Sequence, residues 1–197
     1  MFNKIRKTYN PGLDKVPPIR LAKWRRDVLI ANLGACGFTR GAELGVREGL
    51  GALKMCQMMP GLHLILVDPW DVWPGHKDMD GHADDPLLFL EEAQERLRGY
   101  DCEFIRAKSA DYASNVPDAS LDFVYIDGDH SFDGTMLDLI LWAPKVRVGG
   151  VISGDGYKHY RYTGVIPAVD TYTRQHLVHE WYITGEMDST YFWRKNG

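Results

Sequence analysis

The sequence predicts an α/β domain: a doubly wound, mostly parallel seven-stranded sheet with an antiparallel C-terminal hairpin strand. Three observations predict it. From residue 40 onward, short apolar runs alternate with stretches of helical length, the pattern of βαβ units. Runs such as His63-Leu-Ile-Leu-Val-Asp68 are apolar almost throughout, as strands covered by helices on both faces must be. Acidic residues close several of these runs, where a parallel sheet places its ligand crevice.

Each element follows from its residues. Residues 1–19, with Pro11, Gly12, Pro17 and Pro18, read as an irregular N-terminal arm, and residues 20–197 as a single domain. Leu21, Trp24, Val28, Leu29 and Leu33 recur at helical spacing, so a helix is expected from Arg20 to about Gly37. Strand Gly41–Leu44, a helix at about Arg47–Met59 and strand His63–Asp68 come next. Residues 69–85 form a polar loop, followed by a helix at about 86–98 and strand Cys102–Ala107. Then come strand Leu121–Asp127, helix Phe132–Trp142, strand Gly150–Ser153 and a helix at about 167–176. Two aromatic-rich strands, His179–Gly185 and Thr190–Arg194, close the chain as a hairpin.

Composition narrows the partners. With 23 Lys and Arg against 27 Asp and Glu the net charge is −4, which argues against electrostatic nucleic-acid binding. No apolar run approaches the roughly 18 residues of a membrane span, and the start MFNKIRKTYN lacks a signal-peptide core, so no membrane contact and a cytoplasmic location are expected. Cys36, Cys56 and Cys102 are too widely spaced for a disulfide framework or a Cys-x-x-Cys zinc site.

The turn Gly41-Ala-Glu43-Leu-Gly45-Val-Arg-Glu-Gly49 carries chemistry. Glycines there permit positive φ and close ligand approach. A pyrophosphate would require Gly-x-Gly-x-x-Gly, whereas these glycines stand at i and i+4 behind Glu43, whose charge repels phosphate and suits a cation. This spacing disfavours a nicotinamide dinucleotide. Asp68, at the next strand end, is placed to accept hydrogen bonds from ribose hydroxyls. Together they suggest a positively charged nucleoside.

With these residues the chain resembles the class I S-adenosylmethionine-dependent methyltransferases, whose Rossmann-like sheet carries an acid, x-Gly-x-x-x-Gly and a second acid. It is most similar to a small bacterial branch, methyltransferase family 24-like, with the signature I-D-G-D-H-S-[FY], matched by Ile126-Asp-Gly-Asp-His-Ser-Phe132. Ala143-Pro-Lys, Gly149-Gly-Val-Ile152, Asp155 and Gly164-Val-Ile-Pro-Ala-Val-Asp170 match its later elements. Many class I members have another glycine where Arg47 stands. The resemblance implies S-adenosylmethionine held by Glu43, Gly45, Gly49, Asp68, Ser109 and Asp127, with Ser109 near the adenine. Read from the residues alone, Ser109 and Asp111 are equally suited to capping the next turn.

Related metal-dependent O-methyltransferases place two acids at the fourth and fifth strand ends, matched here by Asp127 and Asp155. The resemblance therefore implies Mg²⁺ or another divalent cation that lowers the pKa of an acceptor hydroxyl. Their third oxygen ligand follows the second acid, and Gly156 stands there, so Asp129, water or substrate would have to replace it, or there is no metal. His130 falls where those families often carry a lysine base, and imidazole can take a hydroxyl proton near neutrality. Asp129 or Ser131 capping the following helix is the plainer account of that turn.

Two further segments should border the acceptor. His76, Asp78, Asp80, His82, Asp84 and Asp85 sit in the 70–85 loop, read as a lid rather than a metal tract. Tyr157-Lys-His-Tyr-Arg-Tyr162 suits an aromatic or anionic small molecule, or simply covers the sheet end. The expected function is S-adenosylmethionine-dependent methyl transfer to a small-molecule hydroxyl. The alternative is an S-adenosylmethionine-binding sensor or partner protein without transfer, and a homo-oligomer is left open.

Overall fold

A computed structural model describes residues 2, 16–71, 86–159 and 163–197. Among these residues, eight strands form one sheet: β1 (Ile19–Leu21), β2 (Arg40–Leu44), β3 (His63–Asp68), β4 (Asp101–Arg106), β5 (Leu121–Ile126), β6 (Val146–Gly154), β7 (Tyr182–Thr184) and β8 (Tyr191–Arg194). Accompanying them among the described residues are the α-helices α1 (Arg26–Ala35), α2 (Leu50–Met58), α3 (Pro86–Arg96), α4 (Ser109–Tyr112), α5 (Phe132–Trp142) and α6 (Val165–Gln175). The strand order is β1-β7-β8-β6-β5-β2-β3-β4. Only β8 runs antiparallel to its neighbours, β6 and β7. This is the Rossmann-like α/β fold that the alternation predicts, with one strand more than expected.

Residue-by-residue alternation divides the core. Leu64 and Leu66 of β3 and Phe123 and Tyr125 of β5 pack into one apolar layer with Leu29, Leu33 and Met55. Ile65, Val67, Val124 and Ile126 face the opposite layer with Leu139, Trp142 and Val169. Successive strand side chains point to opposite faces, and here both faces are covered, so the runs look uniformly apolar in sequence.

Order reverses between β2 and β5, which are neighbours although β3 and β4 separate them in the chain. A crevice opens at the carboxyl ends of adjacent strands at such a point. It is set by the segments that follow Leu44 and Ile126, and their alignment is direct: Leu44 pairs with Ile126, and the Asp127 N–H donates to the Leu44 carbonyl at 2.7 Å.

Three sequence expectations need correction. Residues 19–21 form strand β1, parallel to β7 at the sheet edge, rather than arm and helix. Ile19 and Leu21 are buried on either side of exposed Arg20, a period of two that a short apolar run does not distinguish from helical spacing. Helix α1 therefore starts at Arg26. Helix α2 starts at Leu50, not Arg47, because Gly45, Arg47 and Gly49 all have positive φ, at 82°, 50° and 78°. Strand β6 starts at Val146, with a register shift opposite Leu121 and Phe123 that the Gly149-Gly150 pair accommodates. Cys36, Cys56 and Cys102 form no disulfide among the described residues, and Cys56 and Cys102 Sγ lie 3.7 Å apart.

Candidate functional site

A cleft of about 640 Å³ lies at the carboxyl ends of β2, β3 and β5. Its floor is a meeting of two turns. A Cβ on Gly45 would overlap the Asp127 carbonyl, so the β2–α2 turn needs glycine for contact as well as for φ. Arg47 adopts the left-handed conformation without being glycine, and its guanidinium stacks on the Phe89 ring at 4.8 Å.

Asp68 ties this turn together. Its Oδ2 accepts from the backbone N–H groups of Val46 and Arg47 at 2.8 and 2.9 Å, and its Oδ1 accepts from Trp70 N–H at 2.7 Å. Trp70 Nε1 donates in turn to the Arg47 carbonyl at 2.9 Å. The carboxylate thus braces the loop, and Oδ1 keeps one acceptor direction for a ligand hydroxyl.

Glu43 is 2% exposed, inside the cleft wall, with Oε1 packed against Gly51. Its Oε2 is buried and has no hydrogen-bond partner among the described residues. Burial pushes its carboxyl well above the usual carboxylate range, Asp127 and Asp68 add to the rise, and Arg26 opposes it.

At the far end of the cleft, Ser109 Oγ donates to Asp138 Oδ1, and the Ser109 carbonyl accepts from Trp142 Nε1 at 3.2 Å. Ser109 is not a cap, since the N-cap of α4 is Lys108 and lacks a side-chain hydrogen bond. Burial pushes Asp138 up to about 7, the Ser109 hydroxyl opposes that, and Asp129 adds to it. Asp138 escaped the sequence reading. Its signal was an acid inside the apolar helix stretch Met136-Leu-Asp-Leu-Ile140.

The turn after β5 holds Asp127 and His130. His130 Nε2 lies 3.2 Å from Asp127 Oδ1. Asp129 is occupied locally, as the capping account had it. Its Oδ1 accepts from Ser131 N–H at 2.8 Å while Ser131 Oγ accepts from Gly134 N–H at 3.0 Å, capping α5.

Asp155, at the end of β6, neighbours Asp127 through the Asp155 N–H bond to the Ile126 carbonyl at 2.9 Å. Its Oδ2 accepts from Arg26 Nη2 in an ion pair, and its Oδ1 accepts from Thr190 Oγ1 at 3.3 Å. Burial and then Asp127 push Asp155 up to about 6, against Arg26, the Gly156 N–H and His130. Arg26 also lies 5.4 Å from the Tyr125 ring centroid. Sequence reasoning missed Arg26, which stands in the basic run Lys23-Trp-Arg25-Arg26 with nothing to mark it. Residues 72–85 of the expected lid, Tyr160, Arg161 and Tyr162, and arm residues 1 and 3–15 lie outside the described residues.

Residues 42–157, more than half the chain, match the methyltransferase-domain family Methyltransf_24, and the chain belongs to that family. Its fold is that of the class I methyltransferases. It is similar to a putative caffeoyl-CoA O-methyltransferase from Staphylococcus aureus, with TM-score 0.63, 13% identity and coverage of 92% of this chain and 86% of that one. An O-methyltransferase from Bacillus cereus in complex with S-adenosylhomocysteine superposes with TM-score 0.63 at 12% identity, over 90% and 83% of the two chains. TomG from Streptomyces achromogenes, in complex with S-adenosylmethionine, gives TM-score 0.60 at 16% identity, over 87% and 79%. An uncharacterized protein of Acanthamoeba polyphaga mimivirus is 27% identical over 134 residues, which span 65% of this chain and 56% of that protein.

The residues fit S-adenosylmethionine. An unpartnered buried carboxylate oxygen in the cleft wall suits a cation, and glycine at 45 lets the β2–α2 turn close on Asp127 at the floor of the same cleft. They do not fit a divalent cation. Asp155 Oδ2 is taken by Arg26, position 156 carries no side chain, and no group of three or more His, Cys, Asp and Glu suited to a metal occurs among the described residues.

Proposed function

We propose that the chain is an S-adenosylmethionine-dependent methyltransferase acting on a hydroxyl oxygen of a small-molecule acceptor. The observation that carries this reading is the unpartnered Glu43 carboxylate oxygen in a cleft that also holds the Asp127–His130 pair. When bound, the cofactor supplies a methyl group on a positively charged sulfur.

Each residue then has a physical task. Glu43 offers a buried negative charge to the cationic end of the ligand, and forming that pair favours loss of its proton. Asp68 holds the loop and presents Oδ1 to the ribose. Ser109 and Asp138 are assigned to the adenine end, where the half-buried hydroxyl and the buried carboxyl can meet a base edge. Gly45 lines the cleft where its turn meets the Asp127 carbonyl, whereas Gly49, expected at the cofactor, serves the turn through its positive φ and faces Ala93 of α3 outside the cleft lining. His130 donates from Nε2 to Asp127, which orients the ring, and takes the acceptor proton at Nδ1.

A divalent cation at Asp127 and Asp155 is the reading the Arg26 ion pair opposes, and no step is routed through one. The expected setting is cytoplasmic. Binding without transfer remains the second reading, favoured by Gly156 at the third-ligand position. Calorimetry with S-adenosylmethionine and S-adenosylhomocysteine, followed by turnover against a panel of phenols and other hydroxyl compounds, separates the two. Binding of neither ligand at millimolar concentration refutes both.

A further inference from the structure

We propose that the Arg26 guanidinium takes the place of a divalent cation beside Asp155, so that the acceptor oxygen is bound by a fixed organic cation and transfer needs no metal. This rests on the methyltransferase reading above.

Four observations support it. First, the guanidinium is ion-paired to the carboxylate that the metal-dependent pattern would use as a ligand. Second, it is held there from several sides. The Tyr125 ring lies beneath it, the Tyr125 hydroxyl is 3.4 Å from Thr190 Oγ1, and Thr190 bonds Asp155. The Arg26 backbone N–H donates to Glu186 Oε1 at 2.9 Å, which fixes the start of α1.

Third, the position for a third oxygen ligand is closed. Gly156 has φ 77°, and a Cβ there would lie 3.0 Å from the His130 ring, so the base stands where a ligand side chain would project.

Fourth, Arg26 belongs to two spaces at once. It lines the cofactor cleft and also a neighbouring cavity of about 470 Å³ formed with Arg25, Lys54 and Glu186. A group on the wall between them is where an acceptor from one side meets a methyl group from the other.

Arginine suits this role. Its charge persists across the accessible pH range, because burial, which opposes it, is outweighed by the Tyr125 phenol oxygen and then by the carboxylates of Asp155, Asp127 and Glu43. Only Nη2 is engaged by Asp155, so other N–H donors can face an oxyanion. The substrate class is therefore an acceptor with an acidic hydroxyl, such as a phenol. Its proton passes to His130 Nδ1, its oxygen forms the new O–CH₃ bond, and the S–CH₃ bonding pair returns to sulfur to leave a neutral thioether. Charge and atoms balance without a redox partner.

The test is a Mn²⁺ titration of chelator-stripped protein, read from the electron paramagnetic resonance signal of free Mn²⁺. S-adenosylhomocysteine binding is measured alongside by calorimetry. Wild type should show no site with Kd below about 1 mM, while Arg26→Ala should bind one Mn²⁺ per chain at least about tenfold more tightly, and Asp155→Asn should abolish that gain. A one-per-chain wild-type site that Asp155→Asn removes overturns the proposal. So does an Arg26→Ala protein that binds S-adenosylhomocysteine but gains no Mn²⁺. Arg26→Met, which keeps the apolar stem, gives the same comparison if Arg26→Ala does not fold. If Mn²⁺ behaves as expected but wild type binds no S-adenosylhomocysteine, the methyltransferase reading fails and the cation replacement stands.

Discussion

The Glu43 carboxylate lies so close to Gly51 that a Cβ on residue 51 would overlap Oε1. The first turn of α2 thus confines a buried acid whose other oxygen has no partner among the described residues. Leaving such a group unsatisfied costs about 1–3 kcal/mol. Its retention makes sense if the ligand is the missing partner.

Glu43→Gln leaves that atom unpartnered but removes the ionisable group that burial holds protonated, so it is expected to stabilise the ligand-free protein near neutral pH and to weaken S-adenosylmethionine binding by at least about tenfold. Thermal melting and calorimetry on one preparation measure both. A variant that loses stability and keeps its affinity contradicts the assignment.

Asp138 makes a pH prediction. Its carboxyl is raised to about 7 by burial, so the folded protein holds a proton that the unfolded chain releases near pH 4. Stability is then greatest below the unfolded pKa and falls as pH rises from about 4 to 7. Asp155, raised to about 6, adds a loss of the same sign in the lower part of that window. Asp138→Asn should flatten this slope and stabilise the protein at pH 8 by roughly 2–4 kcal/mol. Urea denaturation from pH 4 to 8 checks it, and an unchanged slope refutes it.

Gly45 allows no side chain. With φ at 82° and the Asp127 carbonyl filling the Cβ position, Gly45→Ala should destabilise by roughly 2–5 kcal/mol. Gly37→Ala is the control, because its φ is 72° but no atom lies within 4 Å of its Cβ position. The control isolates the backbone strain. Equal losses at both sites, read from urea midpoints, would show that the contact between the two turns carries no energy.

For His130, replacement by Ala should lower kcat by roughly 10²–10⁴ while leaving S-adenosylhomocysteine affinity within about threefold. Asp127→Asn should lower the rate less than removal of the ring, since Asn can still accept from Nε2. An Asp127→Asn rate below that of His130→Ala would assign Asp127 a direct role instead.

Legibility in the sequence followed the range of the contacts. Helix α5 is observed at the expected Phe132–Trp142, because its cap is local and Ser131 bonds Gly134 three residues on. The acids at strand ends were visible for the same reason, since strand, turn and helix are contiguous. Arg26 was invisible because its partners Asp155 and Glu186 lie 129 and 160 residues away. Strand β1 was misread because its pairing with β7 comes from the other end of the chain, and three residues carry too little pattern to announce it. Asp138 hid for a different cause. A helix can bury one acid without breaking its apolar stripe, so its role emerged only with Ser109 beside it.

The edge formed by β1, β7 and β8 gives the two halves of the cleft different histories during synthesis. The cofactor side is drawn from a contiguous stretch between residues 40 and 138, so its contacts can form while the ribosome is still adding residues. Part of the support of Arg26 forms later, because Thr190 and Glu186 follow that stretch in the chain by some fifty residues. A chain without the β7–β8 segment would hold the glycine turn, Glu43, Asp68 and the Arg26–Asp155 pair, but not the Thr190 and Glu186 contacts that fix that pair. The turns that line the cleft can thus form before β7 and β8 pair, and the full support of the Arg26–Asp155 ion pair comes only with that pairing.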